Sequence, residues 1–323
     1  MSGVRDRFLN WGGCGKGMKQ DLKQGVKRGG ILLLVAVIFL VPAVSAAAED
    51  VQVSLYVLNL GKFDVATGSF TADFYLDMKC QEKCNVGDFE FMNGRASSVD
   101  KIIDEDTEKF YRIQGNFNSN VDLKDFPFDS QKMQIILEDK LNSIDKIKYV
   151  QDDEESGVDK SIIFSGWNLK GWNAEVREHE YEVYDETYSQ YVFSIDIERI
   201  KLNAFMKTFM PVFFILLVVL FSFILDPDKI TTRLGMAGSS LVASVMFHIS
   251  ISNQIPPVGY LTFADKFMVL TYAILLATFI INVFMLEMQE RKNAELVERV
   301  HRKTEYSVFI IVPLLYLLLF LIF

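Results

Sequence analysis

The sequence is poor in the residues from which most catalytic and metal centres are built. It has only 3 His and 3 Cys in 323 residues. It contains no G-x-S-x-G, H-E-x-x-H or P-loop motif, and its paired acids at 152–155 lie in a polar run typical of a solvated loop. These absences argue against an enzyme, and they predict no cofactor, no metal site and no nucleic-acid partner.

The few cysteines include one close pair. Cys80 and Cys84 flank three polar residues. Both would face an oxidising compartment if residues 1–48 form a secretory leader, as described below. We predict a small hairpin disulfide between them and disfavour a metal site, because no histidine is close by in the sequence. Cys14 lies in the N-terminal segment. The histidines are His179, His248 and His301.

The N-terminal 48 residues resemble a targeting segment. A basic stretch precedes the apolar run from Ile31 to Val44, and small residues follow before polar sequence begins at Glu49. This order predicts a signal peptide at 1–48, with an uncleaved anchor as the alternative. In both cases the chain from Glu49 onward begins outside the cytosol.

Residues 49–203 alternate between apolar and polar side chains, as half-buried strands do. Short strands separated by glycine-containing turns predict a β-sandwich, and no helical period of useful length occurs there. The apolar faces are Phe70, Ala72, Phe74, Leu76 and Met78; Met133, Ile135 and Leu137; and Tyr191, Phe193, Ile195 and Ile197.

The same region is strongly acidic. It holds about 17 Lys and Arg against about 32 Asp and Glu, a balance that attracts cations. The alternative is that the acidic surface only keeps a secreted domain soluble.

Residues 204–323 contain four apolar segments, at 205–225, 232–252, 263–288 and 306–323. Each approaches the ~20 residues that span a bilayer. The segment 289–305 is rich in Lys and Arg, whereas the loop 253–262 has neither, so the positive-inside tendency places the former in the cytosol. The sequence therefore predicts an extracytoplasmic sandwich followed by a four-helix transmembrane bundle.

The second span is unusual because it combines small, polar and apolar residues on one face. At a spacing of three or four residues, this face is polar at both ends and apolar between them. Such a stripe suits a water-filled pore that closes by dewetting, although small residues also let helices pack closely. The stripe consists of Gly235, Ser239, Val242, Met246, Ile249 and Asn253.

Several motifs resemble those of the pentameric ligand-gated ion channels, the Cys-loop receptor superfamily. Residues 126–131, Phe-Pro-Phe-Asp-Ser-Gln, resemble the F-P-F-D-x-Q core of that family. Arg199 and Pro211 are similar to its arginine before the first span and its proline within that span. Residues 255–260 and 164–167 resemble its linker after the second span and the segment before its late strands. The resemblance covers nearly the whole mature chain, in order.

The departures from the family pattern point to its prokaryotic branch. The two cysteines that name the superfamily would fall at Ser119 and Met133, and the connection between the last two spans is short. The segment 80–111 also looks shorter than in relatives, and no Trp stands where the loop directly after Asp139 would need one. A conventional aromatic amine cage is therefore not expected.

The resemblance implies a role for particular residues. It places Asp64 and Asp129 near Arg199 at the junction of the two domains. It also places one wall of the agonist site on the hairpin 180–191, where Tyr181, Tyr184 and Tyr188 could hold a cation; His179 is a further proton-sensor candidate. The residues expected to couple the ectodomain to the pore are Asp64, Phe126, Pro127, Asp129, Arg199 and Pro256.

The function implied by this resemblance is a homopentameric ligand-gated channel in the plasma membrane, opened by a small molecule or by protons. Its pore would pass monovalent ions, with cations favoured by the summed acidic field, including Asp226 and Asp228. Thr231, Thr232 and Gly235 resemble anion-selective members instead. The alternatives are a non-conducting membrane sensor of the same architecture and a transporter, which lacks support from inverted repeats or broken helices.

Overall fold

The computed structural model describes residues 48–83, 86 and 88–322. Within that part of the chain, strands come first and helices follow. The strands are β1 (Glu49–Leu60), β2 (Ser69–Cys80), β3 (Phe89–Phe91), β4 (Gly94–Asp104), β5 (Glu108–Asn118), β6 (Ser130–Asp139), β7 (Ile147–Gln151), β8 (Gly157–Val158), β9 (Trp167–Tyr181) and β10 (Glu186–Arg199). The helices are α1 (Lys201–Thr208), α2 (Met210–Ser222), α3 (Ile230–Ser252), α4 (Phe263–Glu290) and α5 (Ala294–Ile322).

The strands form two sheets. One has the order β4-β5-β2-β1-β7, with β8 also pairing with β1, and the other has the order β3-β6-β10-β9. The pairs of β1 with β7 and β8 are parallel, and the remaining pairs are antiparallel. This arrangement confirms the predicted sandwich.

The core between the sheets is built from the faces that the alternation predicts. Phe74, Leu76 and Met78 on β2 are fully buried, as are Phe193 and Ile195 on β10. The opposite face of β2 is used for cross-strand contacts: its Asp73 binds Arg112 on β5 at 2.9 Å. Because side chains alternate across a strand, β2 places its apolar face in the core and its polar face outside it.

The first apolar segment is bent. α1 and α2 meet at an angle of 43° with a break at Phe209. Pro211 in the first turn of α2 explains the break, because its ring has no N–H and collides with the carbonyl group four residues earlier. The sequence predicted one span at 205–225, and the structure forms that span from two helices.

In the described part of the chain, three further helical segments are long and apolar enough to cross a membrane: Pro227–Ser252, Phe263–Glu290 and Ala294–Ile322. With the bent pair they give the four predicted crossings and a multi-pass membrane protein. The helix α5 begins before its predicted span, because the charged segment 294–305 is also helical. Its charges pair one turn apart, as in Glu298 with Arg302 at 2.9 Å.

Two predictions involve residues outside the described part of the chain. The signal peptide at 1–48 falls almost wholly there, and so does Cys84. Cys80, at the end of β2, is disulfide-bonded.

Two turns of the sandwich depend on glycine for different reasons. Gly68 has φ +69°, and a Cβ atom there would lie 2.1 Å from the carbonyl oxygen of Ser119. Gly166 has φ +88°, but a Cβ atom would meet nothing within 4 Å. Gly171 has neither the positive φ nor a close neighbour. An added Cβ atom would therefore cause strain and a collision at Gly68, strain alone at Gly166, and neither at Gly171.

We predict a graded loss of stability when each of these glycines is changed to alanine. Gly171→Ala should leave the apparent melting temperature of the purified chain nearly unchanged. Gly166→Ala should cost about 1–2 kcal/mol, because an L-residue is strained in this region. Gly68→Ala should cost clearly more, since the collision adds to the strain. Equal melting temperatures for Gly68→Ala and Gly171→Ala would show that neither strain nor collision matters at this turn.

Candidate functional site

The segment between β5 and β6, residues 119–129, lies where the sandwich meets the helices; we name it the junction loop. Its backbone bonds directly to the first turn of α4. Phe263 N donates to the carbonyl oxygen of Lys124 at 2.8 Å, and Ala264 N donates to that of Phe126 at 3.0 Å. The two parts of the chain are therefore joined by main-chain hydrogen bonds as well as by side chains.

An ion pair lies at the end of this loop. Arg199, the last residue of β10, donates from Nε to Asp129 Oδ1 at 2.8 Å and from Nη2 to Asp129 Oδ2 at 3.2 Å. The Asp129 side chain is only 1% exposed, and that of Arg199 is 22% exposed. A bidentate contact of this kind is directional and fixes both side chains.

Neighbouring groups complete the environment of the pair. Gln131 donates to Asp129 Oδ2 and to the carbonyl oxygen of Asp122, both at 2.7 Å. The guanidinium carbon of Arg199 lies 4.3 Å from the centre of the Trp167 ring and 5.2 Å from that of Phe126. Aromatic faces stabilise a partly desolvated cation. This geometry explains why Phe126, Asp129 and Gln131 occur together in the motif.

Hydrogen bonds close the base of the junction loop at the place where the family that the sequence resembles has a disulfide. Gln134 N donates to Ser119 Oγ at 2.8 Å, and Ser119 N donates to the carbonyl oxygen of Gly68 at 2.9 Å. Met133 instead faces the core and is fully buried. Hydrogen bonds to β6 and to the β1–β2 turn thus take the place of a covalent bridge.

The tip of the loop is apolar and packs on the helices. Phe128 contacts Phe209 and Phe263, with ring centres 5.7 and 5.9 Å away. Phe126 lies in a second cluster with Ile251 at the end of α3, against which the linker after α3 also packs. In that linker the half-buried Pro256 stands beside Ile255, a member of the cluster.

Asp64 does not take the predicted position beside Arg199. Its carboxylate accepts from Ala66 N at 3.0 Å and from the Thr67 hydroxyl at 3.1 Å, within its own exposed turn. Short Asp side chains readily bond to the backbone two residues on, and that local bond competes with a distant one. The β1–β2 turn reaches the junction through Val65, which packs on the cluster of Phe126.

The three predicted tyrosines lie together. Tyr181, Tyr184 and Tyr188 line a pocket of 250 Å³ at the β9–β10 hairpin. The rings of Tyr181 and Tyr188 meet edge to face, with centres 5.5 Å apart, and Tyr184 is 73% exposed at the turn. The other lining residues are Glu90, Glu138, Asp139, Lys140 and Glu186.

Glu138 organises the floor of this pocket. It is buried, and its carboxylate accepts from Tyr181 Oη at 2.9 Å and from Gln190 Nε2 at 2.9 Å, while His179 Nδ1 lies at 2.8 Å. Burial, together with this bond to Glu138, raises the pKa of Tyr181 to about 12. The pocket therefore combines aromatic faces with four carboxylates and one ammonium group.

On α3 the predicted stripe is the exposed face. All six of its residues are exposed, from Gly235 to Asn253, and the exposed fractions of Val242, Met246 and Ile249 are 64, 65 and 52%. The opposite face of the helix is buried and includes Ala237, Ser240, Ser244 and Ile251. The stripe is thus exposed over its whole length.

Arg233, at the inner end of α3, points away from this stripe. It is fully buried, with its guanidinium carbon 4.6 Å from the centre of the Phe223 ring and Nη1 3.1 Å from His301 Nδ1. Its charge therefore does not line the exposed face.

Sequence reasoning missed two groups of polar residues. Glu138 carried no motif: it lies near the end of β6, where it pairs with Glu90 of the edge strand β3. His248 bonds to Tyr272 and Asp265 across two apolar helices. A signal for the second group existed, since ionisable residues inside predicted spans point to function by default.

Comparisons with known proteins agree with these features. No family model matches the chain. A proton-gated ion channel of Gloeobacter violaceus is 22% identical over 161 residues, which cover 50% of this chain and 44% of that protein. Ligand-gated ion channel 50 of Caenorhabditis elegans is 22% identical over 201 residues, covering 58% and 40%. The acetylcholine-gated chloride channel subunit acc-2 of the same organism is 26% identical over 165 residues, covering 50% and 36%.

The fold, the junction and these relatives define a class of protein. The chain spans less than half the length of these curated relatives. It is nevertheless related to the pentameric ligand-gated ion channels, as the sequence resemblance indicated, and that family has no enzymatic activity.

The ion pair at the junction generates a stability prediction. Arg199→Ala should lower the free energy of unfolding by about 3 kcal/mol, since removing one partner leaves a buried carboxylate without its counter-charge. The matched control is Lys132→Ala, which removes the exposed pair of Lys132 with Asp196 at 3.9 Å and should cost about 0–1 kcal/mol. Equal losses in a thermal unfolding experiment on the two variants would contradict the role of burial.

Proposed function

We propose that this chain is a subunit of a homopentameric ligand-gated ion channel whose pore is lined by α3. The observation that carries the proposal is the exposed stripe of α3. Five copies around one axis would enclose that stripe and leave the buried face, with Ala237 and Ser244, packed within each subunit. A lumen with polar ends and an apolar middle conducts when wetted and closes when its apolar rings dewet.

The position of the junction supports control of this pore by the sandwich. Arg199 ends β10 and is followed almost at once by α1, while Phe126 packs beside Ile251 at the outer end of α3. A movement of the sheets would therefore reach both the first and the second membrane segments. Asp129, Arg199, Phe126 and Pro127, with Pro256 in the linker, are the coupling residues of this proposal, and Asp64 contributes only through its turn.

The agonist that suits the tyrosine pocket is a small organic cation. Four carboxylates surround the pocket, and each Tyr face contributes roughly 0.5–2 kcal/mol to a cation held against it. In the proposed pentamer a neighbouring sandwich would supply the opposite wall, as in other members of the family.

The ions that we propose to pass are monovalent cations. Asp226 and Asp228 are exposed just before α3, and the buried Arg233 does not offset them on the exposed face. Lys229 lies 3.5 Å from Asp228 and weakens the field of that carboxylate. The field is also screened over about 8–10 Å at physiological salt, so five copies must act together in a narrow mouth.

The selectivity can be measured directly. With the purified chain in planar bilayers under a salt gradient, currents should reverse near the cation equilibrium potential. Asp228→Asn should lower the conductance more than Asp226→Asn, because Asp228 lies closer to the pore helix. Glu295→Gln, an exposed carboxylate on α5, is the control. Reversal near the chloride potential would refute cation permeation, and absence of any current under a panel of ligands would favour the non-conducting sensor.

The ligand site makes a separate prediction, with ethylammonium as the probe. Tyr184→Ala should raise the ethylammonium concentration that gives a half-maximal current by about 2- to 30-fold, because one aromatic face is lost. Glu138→Gln should raise it further, because a charge is lost beneath the pocket. Val183→Ala is the control, since Val183 is 90% exposed on the same hairpin but does not line the pocket. If the dose response is unchanged when all three tyrosines are replaced, the tyrosine pocket is not the agonist site.

A further inference from the structure

Three polar side chains meet between the membrane helices α3 and α4. His248 lies on α3 near its outer end, and Asp265 and Tyr272 lie on α4. The Nε2 atom of His248 is 3.0 Å from Asp265 Oδ1, and its Nδ1 atom is 2.9 Å from Tyr272 Oη. The side chains of His248 and Asp265 are 22 and 19% exposed. Both ring nitrogens of the histidine are thus engaged with α4.

The contact survives a change in the charge of the imidazole. An ionised carboxylate only accepts, so Nε2–H donates to Asp265 in either state. When the imidazole is neutral, Nδ1 accepts from the Tyr272 hydroxyl; when it is charged, Nδ1–H donates to the same oxygen. The bond between His248 and Asp265 therefore joins the two helices in either charge state of the imidazole.

Asp265 performs a second task with its other oxygen. Its Oδ2 accepts from Thr262 N at 2.9 Å and from Thr262 Oγ1 at 2.8 Å, and its own N–H donates to Thr262 Oγ1 at 3.1 Å. These bonds form the capping box that starts α4. One carboxylate therefore fixes both the first turn of α4 and its connection to the pore helix.

That first turn is also the part of α4 that the junction loop holds. Phe263 and Ala264, which follow Thr262, donate their backbone N–H groups to the loop. A continuous set of hydrogen bonds thus runs from the junction loop through the start of α4 to His248. By contrast, the buried Ser244 on α3 and Thr278 on α4 donate within their own helices, at 2.8 Å in each case.

We propose that His248 is a positioning residue, which latches the outer half of the pore helix to the first turn of α4 through Asp265 and Tyr272. The latch carries a displacement of the junction loop to α3 beside Ile249 of the exposed stripe. The connection between the helices is independent of what the protein does. Its consequence for gating rests on the proposed function.

The first test needs no current. In the purified full-length chain, His248→Ala and Asp265→Asn should each lower the melting temperature. The double variant should lose less than the sum of the two single losses, because both changes break the same bond. Ser244→Ala and Thr278→Val, combined with His248→Ala, should give additive losses. Additive losses for His248 and Asp265 would overturn the latch.

The second test separates a latch from ordinary packing. His248→Ala should leave ethylammonium binding to the purified chain unchanged and reduce the maximal current by about 5-fold or more, the range expected for coupling between sites. Ser244→Ala should leave both the ethylammonium binding and the maximal current unchanged. If His248→Ala does not fold, Tyr272→Phe removes one hydroxyl and should give a smaller loss of the same kind. Normal currents with either variant would overturn the gating role.

The two tests also keep this inference apart from the proposed function. If the wild-type chain passes no current with any probe, the channel proposal fails. The melting temperatures of the single and double variants then decide alone whether the latch exists. If the wild-type chain conducts and the losses of melting temperature for His248→Ala and Asp265→Asn are additive, the latch fails and the channel proposal stands.

Discussion

The bidentate pair of Asp129 with Arg199 is the interaction on which the rest of this structure depends. It forms where the last strand ends and the first helix begins, and its carboxylate is almost fully buried. Removing a carboxylate from water is costly unless a counter-charge and further donors are supplied. Arg199 and Gln131 supply them, and Trp167 and Phe126 cover the guanidinium group. The pair thus orients the junction loop, from which the other contacts with the helices follow.

Those contacts are of two kinds, hydrogen bonds between polar groups and packing of apolar side chains. Main-chain bonds from Phe263 and Ala264 set the position of the loop along α4, whereas Phe128 and Phe126 fill two separate apolar clusters. Apolar packing is weakly directional, and hydrogen bonds are strongly so. A junction built from both can remain dry and packed while its polar bonds specify one arrangement.

Much of the fold could be predicted from the sequence because its signals are periodic. Alternation on β2, β6 and β10 identified the buried faces, and the lengths of the apolar segments identified the crossings. The three- and four-residue spacing on α3 likewise selected the face that the structure leaves exposed. The bend of 43° before α2 was not predicted, although Pro211 was noted, because a proline in a span allows either a kink or a break.

Individual side-chain partners were harder to predict. Asp64 was assigned to Arg199 by resemblance, yet its own turn offers two donors at hydrogen-bond distance. Glu138 became central only because β9 and β10 bring His179, Tyr181 and Gln190 to it, which is a matter of tertiary structure. Asp265 and Tyr272 are two turns apart on α4, but His248 lies on another helix, 17 and 24 residues away in sequence, and no local pattern links it to them. Such contacts depend on how helices rotate against each other, which periodicity alone does not determine.

The proposed channel requires the junction to transmit a signal that the sandwich receives. Ethylammonium binding and evoked current, both measured in one preparation of Arg199→Lys, test this requirement. The variant keeps the charge but loses the fork that binds both oxygens of Asp129. If the junction transmits the signal, binding should equal that of the wild-type chain while the current is strongly reduced. Wild-type currents, or a loss of binding in proportion to the loss of current, would contradict transmission through the junction.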